Sequence, residues 1–163
     1  MDITFREYRE TDRQLLQSLI EKLMDYVVST DPIKRIRRLD GYGALTLKKL
    51  LKKINKNNGK IFFAEDDSKV IGFVSGFVGT QSKENLLERV PTKVGYIEDL
   101  FVEKEYRGKH VGTNLLEKME KYLKDKGCDS LWLEVFVPNT SAHEYYKKLG
   151  FMDREVGMLK KLN

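Results

Sequence analysis

The order of local periodicities predicts a mixed α/β (α+β) fold, and three observations carry the prediction. An alternating segment at Ile3 to Tyr8 gives way to a long stretch of helical spacing. Two strand-like segments, Ile61 to Glu65 and Lys69 to Val78, are separated only by Asp66-Asp67-Ser68, short polar residues that suit a tight antiparallel hairpin. From Gly95 onward the chain alternates strand, helix, strand, helix.

At the N-terminus Ile3 and Phe5 alternate with Thr4 and Arg6, the period of a strand with one face buried. Thr11 or Asp12 is then placed to cap a helix, its oxygen accepting from amides that the first turn leaves free. Leu15, Leu16, Leu19, Ile20, Leu23 and Val27 recur every three or four residues, so one apolar stripe faces a core until about Ser29. Thr30 to Gly43 holds Asp31-Pro32, the basic run Lys34 to Arg38, and Gly41-Tyr42-Gly43, and reads as a mobile loop. Helical spacing returns at Leu45 to Ile54. There Leu47, Leu50, Leu51 and Ile54 oppose a solvated face of Lys48, Lys49, Lys52 and Lys53, before Asn57-Asn58-Gly59 supplies a stop.

Gly72, Gly76 and Gly79 in the second hairpin strand mark a bulge or twist rather than a phosphate loop. After a polar excursion from Gln81 to Lys93, Gly95 to Val102 is a strand. A helix from about Val111 to Lys126 lines Val111, Leu115, Met119, Tyr122 and Leu123 along one side, and Gly127 closes it. Leu131 to Val137 is apolar on both faces, the pattern of a central strand. Ser141 and Glu144 form a capping box for the last helix, whose inner face is Ala142, Tyr145, Tyr146 and Leu149. Gly150 ends that helix, and Phe151 to Leu159 resumes an extended pattern.

Composition narrows the function. With 163 residues, the sequence fits one domain over residues 1–163, and 40% apolar with 34% charged residues describes a packed globular chain. Apolar stretches such as Val70 to Val78 are too short to span a bilayer, and the first residues lack a secretion pattern, so the expected location is cytoplasmic. Cys128 has no second cysteine to pair with. Together with His110 and His143 it forms no ligand set of zinc-site spacing, so no metal is expected. A net charge of +5 suits nucleic acid, an acidic surface or a phosphorylated cofactor. No aromatic platform or reading module accompanies the lysine and arginine runs, which ranks nucleic acid last.

The chemistry concentrates where the strand Tyr96 to Val102 runs through Glu103 to Arg107 into Gly108-Lys109-His110-Val111-Gly112-Thr113. A helix N-terminus offers unpaired amides and partial positive charge, glycines allow close approach, and Arg107 and Lys109 add charge, an arrangement suited to a pyrophosphate. No Lys-Ser or Lys-Thr pair follows the second glycine and three spaced glycines are absent, which sets aside nucleotide hydrolysis and hydride transfer.

The segment Arg107 to Gly112 resembles the coenzyme A signature of the GNAT acetyltransferase family, with Arg107 and Gly112 matching and His110 standing where the family has its first glycine. A side chain there disfavours positive φ and crowds the pyrophosphate unless the backbone stays right-handed and the imidazole points outward. Asn139, then Ser141 to Phe151 with its Tyr146-Lys147-Lys148-Leu149-Gly150-Phe151 ending, resembles the family's later motif. With the preceding elements, the resemblance covers nearly the whole chain.

The resemblance implies a mixed, mostly antiparallel central sheet flanked by about four helices and splayed between the fourth and fifth strands. It implies acetyl-coenzyme A as acyl donor. Backbone groups of Leu100, Phe101 and Val102 would hold the pantetheine arm, Arg107, Gly108, Lys109, His110, Val111, Gly112 and Thr113 would cradle the pyrophosphate, and Asn139 would bind the cofactor or end its strand. It places Glu98 as the base that accepts the amine's proton and Tyr146 as the acid for the departing thiolate, with Tyr145 as the rival. Asp99, on the opposite strand face, would hold a cationic acceptor. An amine of a small molecule or peptide is the expected acceptor. The carboxylates favour a cationic one, whereas Lys34 to Arg38 favours an acidic partner or the cofactor's ribose phosphate. A coenzyme A-binding sensor without turnover is the alternative, and the oligomeric state is open, a homodimer included.

Overall fold

The computed structural model describes residues 2–162. Five strands, β1 (Ile3–Glu7), β2 (Lys60–Asp66), β3 (Lys69–Val78), β4 (Val94–Val102) and β5 (Ser130–Leu133), form one sheet in the order β1-β2-β3-β4-β5. The first four are antiparallel neighbours, and β5 joins β4 in parallel. The helices are α1 (Arg13–Thr30), α2 (Tyr42–Lys56), a single turn α3 (Asn85–Glu88), α4 (Val111–Asp125) and α5 (Thr140–Lys148).

The sheet separates two apolar clusters. Leu16, Leu19 and Ile20 of α1 and Leu47, Leu50 and Ile54 of α2 pack with Phe63, Phe73, Phe77 and Phe101 on one face. Val111, Leu115, Met119 and Leu123 of α4 pack with Phe62, Ile71, Val74 and Ile97 on the other. Covered on both sides, β3 is buried from Val70 to Val78, which is why its sequence is a continuous apolar run instead of an alternation. Gly76 and Gly95 let α4 settle onto the sheet. A Cβ on Gly76 would lie 2.9 Å from Met119 Sδ, and one on Gly95 2.8 Å from Leu123 Cδ1.

Several local expectations are corrected. Asp12 does not cap α1 with its side chain; it accepts from Arg9 N at 2.8 Å and from Arg6 at 2.7 Å, closing the 3₁₀ turn Glu10–Asp12. The cap of α5 is Asn139, whose oxygen accepts from Ala142 N, and not Ser141, which donates to that oxygen instead. The loop after α1 is pinned: the buried carboxylate of Asp31 accepts from the amides of Ile33, Arg35 and Ile36. Burial alone would raise the Asp31 pKa, but those three donors outweigh it and hold it below the usual range. Leu149 is exposed rather than inward.

The strand expected at Leu131 to Val137 pairs only as Ser130–Leu133 and lies at the edge of the sheet among the described residues, not at its centre. Residues 151–162 form no strand. With no ladder on its outer side and β4 diverging on its inner side, the chain beyond Leu133 has nothing to pair with. Among the described residues no helix is long and apolar enough to cross a membrane.

Candidate active site

The divergence of β4 from β5 defines the site. Val94 to Ile97 of β4 pair with Ser130 to Leu133, whereas Glu98 to Val102 have no partner in β5. That half of β4 keeps its bonds to β3 on one side and leaves backbone groups free on the other, a row of donors and acceptors into which an extended amide chain fits. Leu100, Phe101 and Val102 lie on this unpaired half of β4. The carbonyl of Val102 accepts from Arg107 Nε at 3.0 Å.

A β-bulge sits at the point of divergence. Against β3, Ser75 pairs with Asp99 and Gly76 with Ile97, so Glu98 is the extra residue. The bulge reverses the alternation: Tyr96 and Phe101 pack with the α1/α2 cluster, while Ile97, Leu100 and Val102 pack with the α4 cluster. Glu98 and Asp99 consequently face the same side, toward α2, and not opposite sides as a regular strand requires. Glu98 Oε1 accepts from Lys53 Nζ at 2.5 Å, and Lys53 also lies 5.2 Å from the centroid of the Phe77 ring. Asp99 Oδ2 accepts from Ser75 Oγ at 2.8 Å. Burial pushes the Asp99 pKa up to about 6, the Glu98 charge adds to the rise, and the bonds to Ser75 and the charge of Lys53 oppose it.

The cradle precedes α4. Gly108 has φ +76° with nothing near its missing Cβ, and His110 is itself left-handed at φ 61° and ψ 5°. The histidine thus adopts the conformation that glycine favours, rather than staying right-handed, and its side chain is exposed. Asn114 N donates to His110 O, the first helical bond, which leaves the amides of Val111, Gly112 and Thr113 without helical acceptors. A Cβ on Gly112 would lie 3.5 Å from the Tyr145 hydroxyl, an ordinary contact, so the open space there serves approach to the amides and not the fold. The guanidinium of Arg107 stacks 4.5 Å from the Tyr26 ring, and the Lys109 ammonium lies 5.2 Å from that of Tyr106. These features fit a pyrophosphate. Of the loop bases, Arg38 is paired with Asp25 at 2.6 Å.

The two tyrosines of α5 part company. Tyr145 reaches the cradle, its hydroxyl 3.3 Å from Thr113 Oγ1. Tyr146, half-buried, packs against the α4 cluster, its ring 5.7 Å from that of Phe151. Burial, then the neighbouring Tyr145 and the charge of Asp99, raise its pKa and keep its hydroxyl protonated. Asn139 Oδ1 accepts from Ala142 N, Ser141 Oγ and the Tyr26 hydroxyl at 3.4 Å, tying the start of α5 to α1. Two cavities lie beside these groups: about 1100 Å³ along β5, where Tyr146 lines it, and about 440 Å³ between α1, Phe101 and Arg107.

Lys53, Ser75 and Tyr26 join the site without having been singled out in the sequence. Ser75 carried a signal, being a hydroxyl in the middle of an apolar strand, where a buried polar group needs a partner. Lys53 was read as part of a solvated face. Lys48, Lys49, Lys52 and Lys56 are exposed, but Lys53 turns inward.

A sheet split at a bulge, with carboxylates on one side, a half-buried phenol on the other and a helix N-terminus nearby, fits an acyltransferase that uses coenzyme A. The chain belongs to the acetyltransferase (GNAT) family, whose model matches residues 16–151. It is 28% identical over 159 residues to thialysine N-epsilon-acetyltransferase of Bos taurus, covering 93% of this chain and 85% of that one. It is 34% identical over 103 residues to the uncharacterized N-acetyltransferase MJ1207 of Methanocaldococcus jannaschii, covering 63% of this chain and 43% of that protein's length. Among solved structures, AAC(6')-Iy in complex with a bisubstrate analogue of coenzyme A and neamine superposes with a TM-score of 0.72 at 18% identity, covering 100% of this chain and 99% of that one.

Proposed function

We propose that the protein transfers the acetyl group of acetyl-coenzyme A to the primary amine of a small cationic molecule, by direct attack within a ternary complex. The observation that carries the acceptor class is the bulge. By turning Glu98 and Asp99 to one face it concentrates negative charge at the upper end of the splay, where an ammonium is welcome and an acidic acceptor is not. The name of the bovine relative, an acetyltransferase of an aminoalkyl side chain, points the same way.

Acetyl-coenzyme A supplies an activated acetyl carbon as a thioester. The chain's own groups do the rest. The free edge of β4 from Leu100 to Val102 orients the pantetheine amides, and the amides of Val111 to Thr113 with Arg107 and Lys109 hold the pyrophosphate. A primary ammonium has a pKa near 10, so it arrives protonated and must lose a proton before it is nucleophilic. Glu98 accepts that proton. Asp99, hydrogen-bonded to Ser75, holds the ammonium. On the other side Tyr146, half-buried and protonated, donates to the departing sulfur.

The test is release of free thiol from acetyl-coenzyme A against a panel of polyamines, aminoglycosides, lysine analogues and neutral or acidic amines, with Glu98→Gln in parallel. The expected result is turnover with cationic amines, reduced in Glu98→Gln most at neutral pH and less at alkaline pH, where more amine is already free. Coenzyme A binding without turnover on any amine would establish a sensor instead.

A further inference from the structure

We propose that Lys53 is a site of self-acetylation, its amine presented to the bound thioester by Glu98 of the same chain. The inference rests on the functional reading above, in which Glu98 stands at the acceptor end of the splay.

Of the lysines on α2, Lys48, Lys49, Lys52 and Lys56 are exposed and Lys53 is half-buried, on the flank of the helix next to the sheet. Its ammonium donates to Glu98 Oε1 at 2.5 Å and is steadied by the face of Phe77. Glu98 is the bulged residue at which β4 leaves β5, immediately before the free edge at Asp99 to Val102. The structure therefore already holds a primary ammonium on the carboxylate that would take the proton of an external one. Glu98 also makes Lys53 a competitor of any external cation, because both need the same oxygens.

The chemistry balances with the donor already named. Glu98 takes one proton from the Lys53 ammonium, and the freed nitrogen lone pair forms a bond to the acetyl carbon. The carbon–sulfur bond breaks with its electron pair going to sulfur, and the Tyr146 hydroxyl supplies the proton that completes coenzyme A as a thiol. Solvent then returns a proton to Tyr146, takes the one from Glu98, and takes the second proton that the nitrogen loses as the tetrahedral adduct collapses to the amide, a net release of one proton. The product is an amide, which carries no charge and no longer pairs with Glu98.

The full chain is incubated with acetyl-coenzyme A and acetylation is followed site by site by peptide mass mapping, with the heat-unfolded chain as the measure of uncatalysed reaction. Lys53 is expected to react at least about a hundredfold faster than Lys52, its exposed neighbour, the lower bound of what a positioned base contributes. In Glu98→Gln and in Tyr146→Phe the Lys53 rate should fall toward that of Lys52, while Lys52 is unaffected. Lys53 reacting no faster than Lys52 in the folded chain, or at an unchanged rate in Glu98→Gln that still binds coenzyme A, overturns the proposal. Thiol release with the amine panel, measured on the same samples, separates the two levels. Turnover on external amines with an unmodified Lys53 overturns this inference alone, whereas neither coenzyme A binding nor turnover overturns the functional reading and this inference with it.

Discussion

Replacing His110 by glycine and, separately, by alanine tests the reading of the cradle through its backbone. His110 sits at φ 61° and ψ 5°, is exposed, and makes no capping hydrogen bond with its side chain. Both substitutions delete the same imidazole, so their difference reports only the Cβ. A left-handed conformation costs a residue with a Cβ about 1–2 kcal/mol. Glycine escapes that cost but gains freedom in the unfolded chain worth about 0.5–1 kcal/mol, leaving it ahead of alanine by roughly 0.5–1 kcal/mol. In a chain of this size about 1 kcal/mol moves the melting temperature by about 2–4 °C, so His110→Gly should melt about 1–4 °C above His110→Ala. Thermal and urea unfolding measure this directly. Coenzyme A affinity, titrated on the same samples, should be preserved or improved by glycine, because the amides of Val111 to Thr113 keep their place. Alanine matching or exceeding glycine in stability would refute the left-handed assignment, and a loss of affinity in His110→Gly that deepens as pH falls would show the imidazolium on phosphate.

Tyr146→Phe should lower acetyl transfer by about tenfold to a thousandfold with coenzyme A affinity intact, whereas Tyr145→Phe, beside Thr113, should act on affinity more than on rate; steady-state kinetics with binding titrations separates them. Asp99 has its pKa raised to about 6, so the folded state binds a proton more tightly than the unfolded state and loses stability as pH rises from about 4 to 6. Asp99→Asn should therefore gain on wild type by on the order of 3 kcal/mol above pH 6 and not at all below pH 4, in urea denaturation across that range. Gly112→Ala should fold with nearly wild-type stability, since its Cβ meets only ordinary contacts, while Gly112→Glu should lose coenzyme A binding by placing a carboxylate against the pyrophosphate. Calorimetric titration of both variants checks this.

What the sequence disclosed was what contiguous residues decide. The hairpin of β2 and β3 and the stripes of α1, α2 and α4 each follow from a period and a stop signal that lie within one segment. The cradle is of the same kind, because the amides of Val111, Gly112 and Thr113 are freed by the geometry of one helix end. Tyr146 is distinguished from Tyr145 in the sequence only by its place before Leu149-Gly150-Phe151; in the fold the Tyr145 hydroxyl reaches Thr113 and Tyr146 packs against the α4 cluster. Where local signals were weak, the structure departed. Asn139 took the capping role that Ser141 also matched, and Phe151 to Leu159 kept an extended pattern without any strand to pair with.

The bulge at Glu98 shows why the acceptor side was harder to read. Sequence places Glu98 and Asp99 one residue apart, and the two-residue period of a strand then assigns them to opposite faces. One unpaired residue reverses that assignment for everything after it, and nothing between Tyr96 and Val102 marks the position, since the misalignment belongs to the pairing with Ser75 and Gly76 on β3. Its consequences are equally non-local. Once both carboxylates face α2, Glu98 meets a lysine 45 residues away and Asp99 meets a serine 24 residues away, so that the partner of each carboxylate is set by an element it does not adjoin in sequence. The register shift that joins the two carboxylates adjoins Ile97, where pairing with β5 ends, so that under the proposed function the opening for the cofactor and the charge offered to the acceptor meet at one irregularity in β4.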